Sequence, residues 1–162
     1  KGYGSSSNII SKNHNENSSY VVVTYKDLIN NYSDITDVTI PEYVEHDGVT
    51  YNVIGISFDA FSNSNSIQTI TIPQNIQNIG SHAFGNTPNL HTINFESSIP
   101  PQIIETTFSG MHSINLYVPC GSTEIYSSTY NRTVREYPSK YDIQLDVVGP
   151  GTAFINKNTI FN

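Results

Sequence analysis

Five histidines, His14, His46, His82, His91 and His112, and a single cysteine, Cys120, are the side chains with the best chemical claim to acid–base, nucleophilic or metal-binding work. A thiol nucleophile needs a base that favours the thiolate, and the nearest histidine, His112, stands eight residues before Cys120 on a stretch with no regular pattern. Cys120, between Pro119 and Gly121, is therefore expected to be a buried or half-buried structural cysteine, or an intermolecular disulfide partner if the protein is extracellular. His46 and His14 are expected in solvent. Asp59 and His82 each lie two residues before a phenylalanine, a placement that predicts a weak ion pair between neighbouring chain segments rather than a dyad with a nucleophile. Gly149-Pro150-Gly151 has turn composition and lacks the Gly-Lys-Ser/Thr of a phosphate loop. The triplets at Asn17, Asn31 and Asn131 fit a glycosylation pattern, which carries little weight in so asparagine-rich a chain. No catalytic, cofactor-binding or metal-ligating residue is assigned, and no enzyme activity is expected.

The elements that would have to position such residues are legible in composition. The chain has 162 residues, with 19 asparagines, 21 isoleucines and no tryptophan. Isoleucine packs well on pleated surfaces and asparagine tolerates left-handed turns, so the balance suits short strands joined by polar bends. Seven basic residues against fourteen acidic ones give a formal charge of -7, and no basic stripe is present to neutralise a nucleic-acid backbone. No run approaches the roughly 20 apolar residues of a membrane-spanning helix, and no signal-peptide pattern stands at the start. The expectation is a soluble protein or mature fragment, without membrane insertion and monomeric.

Subtracting positions reveals an internal period. The steps from Ile70 to Ile93 and from Ile93 to Leu116 are both 23, Ile72, Phe95 and Val118 keep the same steps, and Phe61, Phe84 and Phe108 are separated by 23 and 24. Parallel columns with one period predict a solenoid whose stacked coils share an apolar interior. Alternation at Ile70/Ile72 and Ile93/Phe95 places those side chains on one strand face. The step from Pro41 to Pro73 exceeds one period by nine, and the excess falls where Asp47-Gly48 sits between alternating segments, which predicts a hairpin inserted in the first coil. The predicted core comprises Ile35, Val38, Ile40, Ile56, Phe61, Ile67, Ile70, Ile72, Ile76, Ile79, Phe84, Leu90, Ile93, Phe95, Ile103, Phe108, Leu116 and Val118, with the three phenylalanines forming a spine. Asn63 and Asn86 are expected to bond main-chain groups inside their coils.

The units Ile67-Gln-Thr-Ile-Thr-Ile-Pro73, Ile79-Gly-Ser-His-Ala-Phe84 and Asn86-Thr87 resemble the BspA-type leucine-rich-repeat family, found in surface proteins of Bacteroides-like bacteria and in some protists. Ile56-Ser-Phe-Asp-Ala-Phe61 matches less fully, and Ile104 and Thr107 stand where the pattern has glycine and alanine, which predicts a different bend in the last coil near Pro100-Pro101. The ending from Leu116 to Tyr126 resembles the family's last strand and short closing helix. The fold class expected is thus an α/β solenoid dominated by β-structure, a leucine-rich-repeat stack with coils of about 23 residues, a parallel sheet, the inserted hairpin and terminal caps.

Residues 1–34 are expected to form a flexible start and N-terminal cap, with Tyr20–Tyr25 a strand and Lys26–Asn31 a turn or one helical turn. Residues 35–137 form the repeat domain with its C-terminal cap, and residues 138–162 a terminal hairpin or the start of a following β-module. The outward strand positions Gln68, Thr69, Thr71, Thr92, Asn94, Asn115 and Tyr117 make a polar face across about four rungs, with Tyr117 its aromatic anchor. The resemblance implies adhesion to a protein or carbohydrate at a cell or host surface by a secreted or bacterial outer-surface module. A structural spacer carrying neighbouring modules is the alternative.

Overall fold

The computed structural model describes residues 10–11, 20–24, 34–111, 113–137, 145–147 and 153–155. The strands in chain order are β1 (Ile10–Ser11), β2 (Tyr20–Val23), β3 (Asp37–Thr39), β4 (Tyr43–His46), β5 (Val49–Ile56), β6 (Thr69–Ile72), β7 (Asn78–Ile79), β8 (Thr92–Phe95), β9 (Gln102–Ile103) and β10 (Asn115–Val118). Helix α1 (Thr123–Tyr130) follows, then β11 (Val134–Glu136), β12 (Leu145–Val147) and β13 (Ala153–Ile155). The expected turn at Lys26–Asn31 and the placement of His14 and His112 lie outside the described residues.

Every neighbour in the sheet ordered β11-β10-β8-β6-β3 is parallel. Ile70 pairs with Ile93 and Ile93 with Leu116, so the repeating offset read from the sequence is the register of the sheet. Five strands stand here rather than about four, because Val134–Glu136 adds itself beside β10. A second sheet, ordered β1-β2-β5-β7-β9, runs through the other half of each coil. Its β2, β5, β7 and β9 are also parallel, with Ile56, Ile79 and Ile103 in one row. The strands β7 and β9 of that row are only two residues long, too short for alternation to reveal. β4 folds back antiparallel on β5 across the Asp47–Gly48 turn, both of whose residues have positive φ. The same β5 then continues into the second sheet, so the hairpin is an extension of a rung. The architecture is a parallel-sheet, repeat-built β-solenoid. β12 and β13 pair antiparallel with each other.

Inward side chains of the two sheets meet in one apolar cluster. Phe61, Phe84 and Phe108 stack at 6.0 and 5.9 Å between centroids, with interplanar angles of 8° and 18°. Tyr130 packs on Phe108 at 5.8 Å, and the Arg132 guanidinium lies 5.1 Å from the same ring while donating to the carbonyls of Met111 and Phe108. Ile35, expected in the core, is 42 % exposed: it precedes β3, the last strand of its sheet, and no further coil among the described residues covers it. Val38 and Ile103, also on end strands, are half-buried. Tyr126 and Tyr130, absent from the predicted core, are buried against Phe95.

The polar bends follow columns of backbone conformation. Asn63, Asn86 and Gly110 occupy equivalent positions with φ of 60°, 51° and 79°, and only glycine or a short polar side chain adopts this left-handed region readily. The two asparagine side chains bond each other, Asn86 Nδ2 to Asn63 Oδ1 at 2.6 Å, rather than main-chain groups. Asp59 and His82 share a second such column, with φ of 55° and 51°. They form no ion pair. Among the described residues the ion pair is His46 with Asp47 on the hairpin, while His82 Nδ1 turns to the Ser81 hydroxyl at 2.7 Å. The His82 ring also lies edge-on to Phe58 at 6.1 Å between centroids, so its imidazole is engaged by neighbours other than Asp59.

The third coil departs from the repeat in a compensated way. In the second coil Gly80 N–H donates to the Ile56 carbonyl at 2.8 Å. The equivalent donor, Ile104 N–H, instead reaches the Thr107 hydroxyl at 3.2 Å, which donates in turn to the carbonyls of Ile79 at 3.3 Å and Gly80 at 3.2 Å. The Thr107 hydroxyl thus bridges Ile104 N–H to the second coil and fills the broken rung. Thr107→Ala is expected to cost about 1–3 kcal/mol by stranding these groups. Ile104→Gly combined with Thr107→Ala should recover part of that loss, a coupling measurable by a urea double-mutant cycle. Purely additive effects would rule out the compensation.

Candidate binding face

Strands β3, β6, β8, β10 and β11 turn one side of each pleat to the core and the other outward. The burial alternates accordingly: Ile70, Ile72, Ile93, Phe95, Leu116 and Val118 are buried, whereas Thr69, Thr71, Thr92, Asn94, Asn115 and Tyr117 are half-exposed. The register sets these outward residues in two rows. One runs Asp37, Thr69, Thr92, Asn115; the other runs Thr39, Thr71, Asn94, Tyr117, Arg135. All six strand residues expected on the face are thus brought together, while Gln68 lies exposed just before β6 at the margin.

The rows are held by their own bonds. Asn94 Nδ2 donates to the Thr71 hydroxyl at 3.4 Å. Asn115 is fixed at both ends of its amide: Nδ2 donates to the His91 carbonyl at 3.3 Å, and Oδ1 accepts from the Arg135 guanidinium at 2.8 Å. Tyr117 stacks on Tyr137, 6.3 Å away with an interplanar angle of 22°. Arg135 and Tyr137 were not foreseen as face residues. Their only sequence signal is that they are two apart after a helix, and three residues are too few for alternation to declare a strand.

Three tyrosine hydroxyls anchor the loop behind this face. Tyr137 donates to the Phe95 carbonyl at 3.1 Å, Tyr126 to that of Ser97 at 2.9 Å and Tyr130 to that of Pro101 at 2.9 Å. Burial, reinforced by the nearby Glu96 carboxylate, pushes Tyr137 up to about 12. Burial, with the neighbouring phenols, raises Tyr126 and Tyr130 further. The phenolate is disfavoured in the folded state, so the stability these groups supply is complete below the ordinary tyrosine value of 10.0 and is lost as pH rises through the folded values. Thermal melts should therefore show a midpoint that is level near neutrality and falls between about pH 10 and 12. A midpoint unchanged across that window would contradict the assigned bonds.

Cys120 is exposed, contrary to the expectation of burial, because it follows β10 directly in a turn outside the coil interior. A hydrogen bond to Glu136 and that carboxylate's charge raise its thiol, the direction that disfavours a nucleophilic thiolate. Among the described residues no group of three or more histidine, cysteine, aspartate or glutamate side chains could hold a metal ion. Of two open grooves of about 480 and 490 Å³, one lies beside Leu90, His91 and Met111 and reaches the margin of the face at His91, whose carbonyl holds Asn115, and the other lies beside Phe108 and Arg132. The arrangement's chemical capacity is recognition through amides, hydroxyls, a guanidinium and a stacked pair of tyrosines.

A family model described as a BspA type leucine rich repeat region matches residues 26–136 in six copies. No curated protein matches the chain. Among solved structures, a leucine-rich repeat protein from Bacteroides capillosus ATCC 29799 is similar at 22% identity and a TM-score of 0.56, over 74% of this chain and 88% of that one. A leucine-rich repeat protein from Bacteroides ovatus ATCC 8483 is similar at 25% identity and a TM-score of 0.53, over 72% of this chain but only 31% of that one. These likenesses concern the fold. With its repeat register and the matched span together, the chain belongs to the BspA-type leucine-rich-repeat family.

Proposed function

We propose that this domain is a non-catalytic adhesion module that binds a protein or glycan through the outward face of β6, β8 and β10, with Gln68, Thr69, Thr71, Thr92, Asn94, Asn115 and Tyr117 as its contact residues. The observation that carries the reading is the continuous row Thr71, Asn94, Tyr117, Arg135, in which polar groups flank an aromatic ring. A secreted or outer-surface location, with a monomeric chain, accords with the family resemblance. In this reading residues 35–137 are the functional unit, with the β4–β5 hairpin as an insertion in the first coil and α1 with β11 as its C-terminal cap. Its coils are about 23 residues each, within the range of leucine-rich repeats. Residues 1–34 supply the other cap, and residues 138–162 a terminal hairpin or the start of another module.

The test is capture by the immobilised 162-residue chain of purified matrix proteins and glycans, set against a variant carrying both Asn94→Ala and Tyr117→Ala. Capture is expected for the native face and is expected to be lost in the variant with its thermal midpoint kept. Capture that survives the variant would remove this face as the site. Silence across both panels would favour a spacer role instead.

A further inference from the structure

The face itself restricts the ligand. Its opposite charges stand only at the margins, Asp37 on β3 and Arg135 on β11, and the rows between them hold neutral amides, hydroxyls and a phenol. The most exposed hydrophobic side chains of the described residues, Phe58, Ile99 and Tyr43, all lie off β6, β8 and β10. A protein partner is ordinarily held by aromatic or apolar anchors sealed in desolvated pockets, whereas the aromatic pair here, Tyr117 on Tyr137, stands half-exposed among polar groups. Amides and hydroxyls beside an aromatic ring match a ligand that carries many hydroxyls and also has C–H faces to lay on the ring.

Charge narrows the class further. Ten carboxylates occur from Asp27 to Glu124, and no lysine or arginine occurs between Lys26 and Arg132. A field of that sign repels sulfated or phosphorylated polymers. The centre of the row is also prepared to both donate and accept. Asn94 uses its Nδ2 on Thr71 and keeps its carbonyl oxygen as an acceptor on one side of Tyr117. On the other side Asn115 holds Arg135 by a single bond at 2.8 Å, which leaves further guanidinium donors for a ligand. Both amide ends of Asn115 are engaged, so little freedom remains to be lost on binding.

Resting on the face proposed above, we infer that the ligand is a neutral oligosaccharide laid across β8, β10 and β11. One sugar ring stacks on the face of Tyr117 not covered by Tyr137, with its hydroxyls donating to the Asn94 carbonyl oxygen and accepting from Arg135. The experiment is calorimetric titration of the 162-residue chain with neutral gluco-, galacto- and manno-oligosaccharides and with a heparin-derived sulfated oligosaccharide, at low and high salt, with amide chemical-shift mapping. At least one neutral oligosaccharide is expected to bind with an affinity insensitive to salt, with shifts on β8, β10 and β11. Tyr117→Ala and Arg135→Lys are expected to weaken it by about tenfold or more without moving the thermal midpoint. Preference for the sulfated sugar, salt-sensitive binding, or shifts elsewhere would overturn the inference. If every sugar is ignored while Asn94→Ala with Tyr117→Ala abolishes capture of a purified matrix protein, the inference fails and the adhesion reading stands. If neither sugars nor matrix proteins bind, both fail.

Discussion

Phe84→Ala is expected to lower the free energy of unfolding by about 3–5 kcal/mol, the largest single loss on the core side of this molecule. The ring is fully buried and stacked on both sides, at 6.0 Å from Phe61 and 5.9 Å from Phe108. A cavity there cannot close easily. Phe61 N–H donates to the Ala83 carbonyl at 2.8 Å and Asn63 N–H to that of Gly85 at 2.9 Å, so the first and second coils are pinned together around the missing ring. Urea denaturation should show a lower midpoint with an unchanged slope. Phe58→Ala, at a position 61 % exposed on the equivalent bend of the preceding coil, should change stability by no more than about 0.5 kcal/mol. Equal losses at the two sites would contradict a stacked aromatic spine.

Gly80→Ala is expected to cost about 3 kcal/mol, at the upper end of what a single added methyl does in a packed interior. A Cβ at this position would lie 2.6 Å from the Phe58 nitrogen and 2.7 Å from the Ser57 carbonyl carbon. Both are backbone atoms of the preceding coil, so no rotamer change relieves the contact. Either the coils separate, weakening the bond from Gly80 N–H to the Ile56 carbonyl, or the bend deforms. A variant with native thermal stability would show that the coils do not approach as closely as described.

The glycine also shows what the sequence conveyed and what it hid. Its place in the I-G-x-x-A-F unit was legible, but the cause is closeness of neighbouring backbones, and only coordinates reveal which atoms a Cβ would strike. Ile104 and Thr107 were visible as departures; that one repairs the other depended on knowing that Gly80, the equivalent of Ile104, donates to the preceding coil. Long-period information transferred best. The columns Ile70/Ile93/Leu116 and Phe61/Phe84/Phe108 each pair residues of like type at near-constant spacing, and the structure stacks them. Short elements transferred worst: β7, β9 and β11 are two or three residues long, and Arg135 and Tyr137 were missed with them. Asp59 and His82 illustrate a different failure. They do fall in one column, but a shared column does not fix side-chain partners: His82 bonds the Ser81 hydroxyl and lies edge-on to Phe58.

Register is the property on which the spine, the compensated third coil and the binding face all depend, and isotope-edited NMR of the folded chain measures it directly. Parallel pairing predicts cross-strand backbone contacts linking Ile70 to Ile93 and Ile93 to Leu116, together with Asn94 to Tyr117 on the outward row. Contacts from Ile93 to residues one position away from Ile70 and Leu116 would turn every outward side chain inward, and would contradict both the fold and the face.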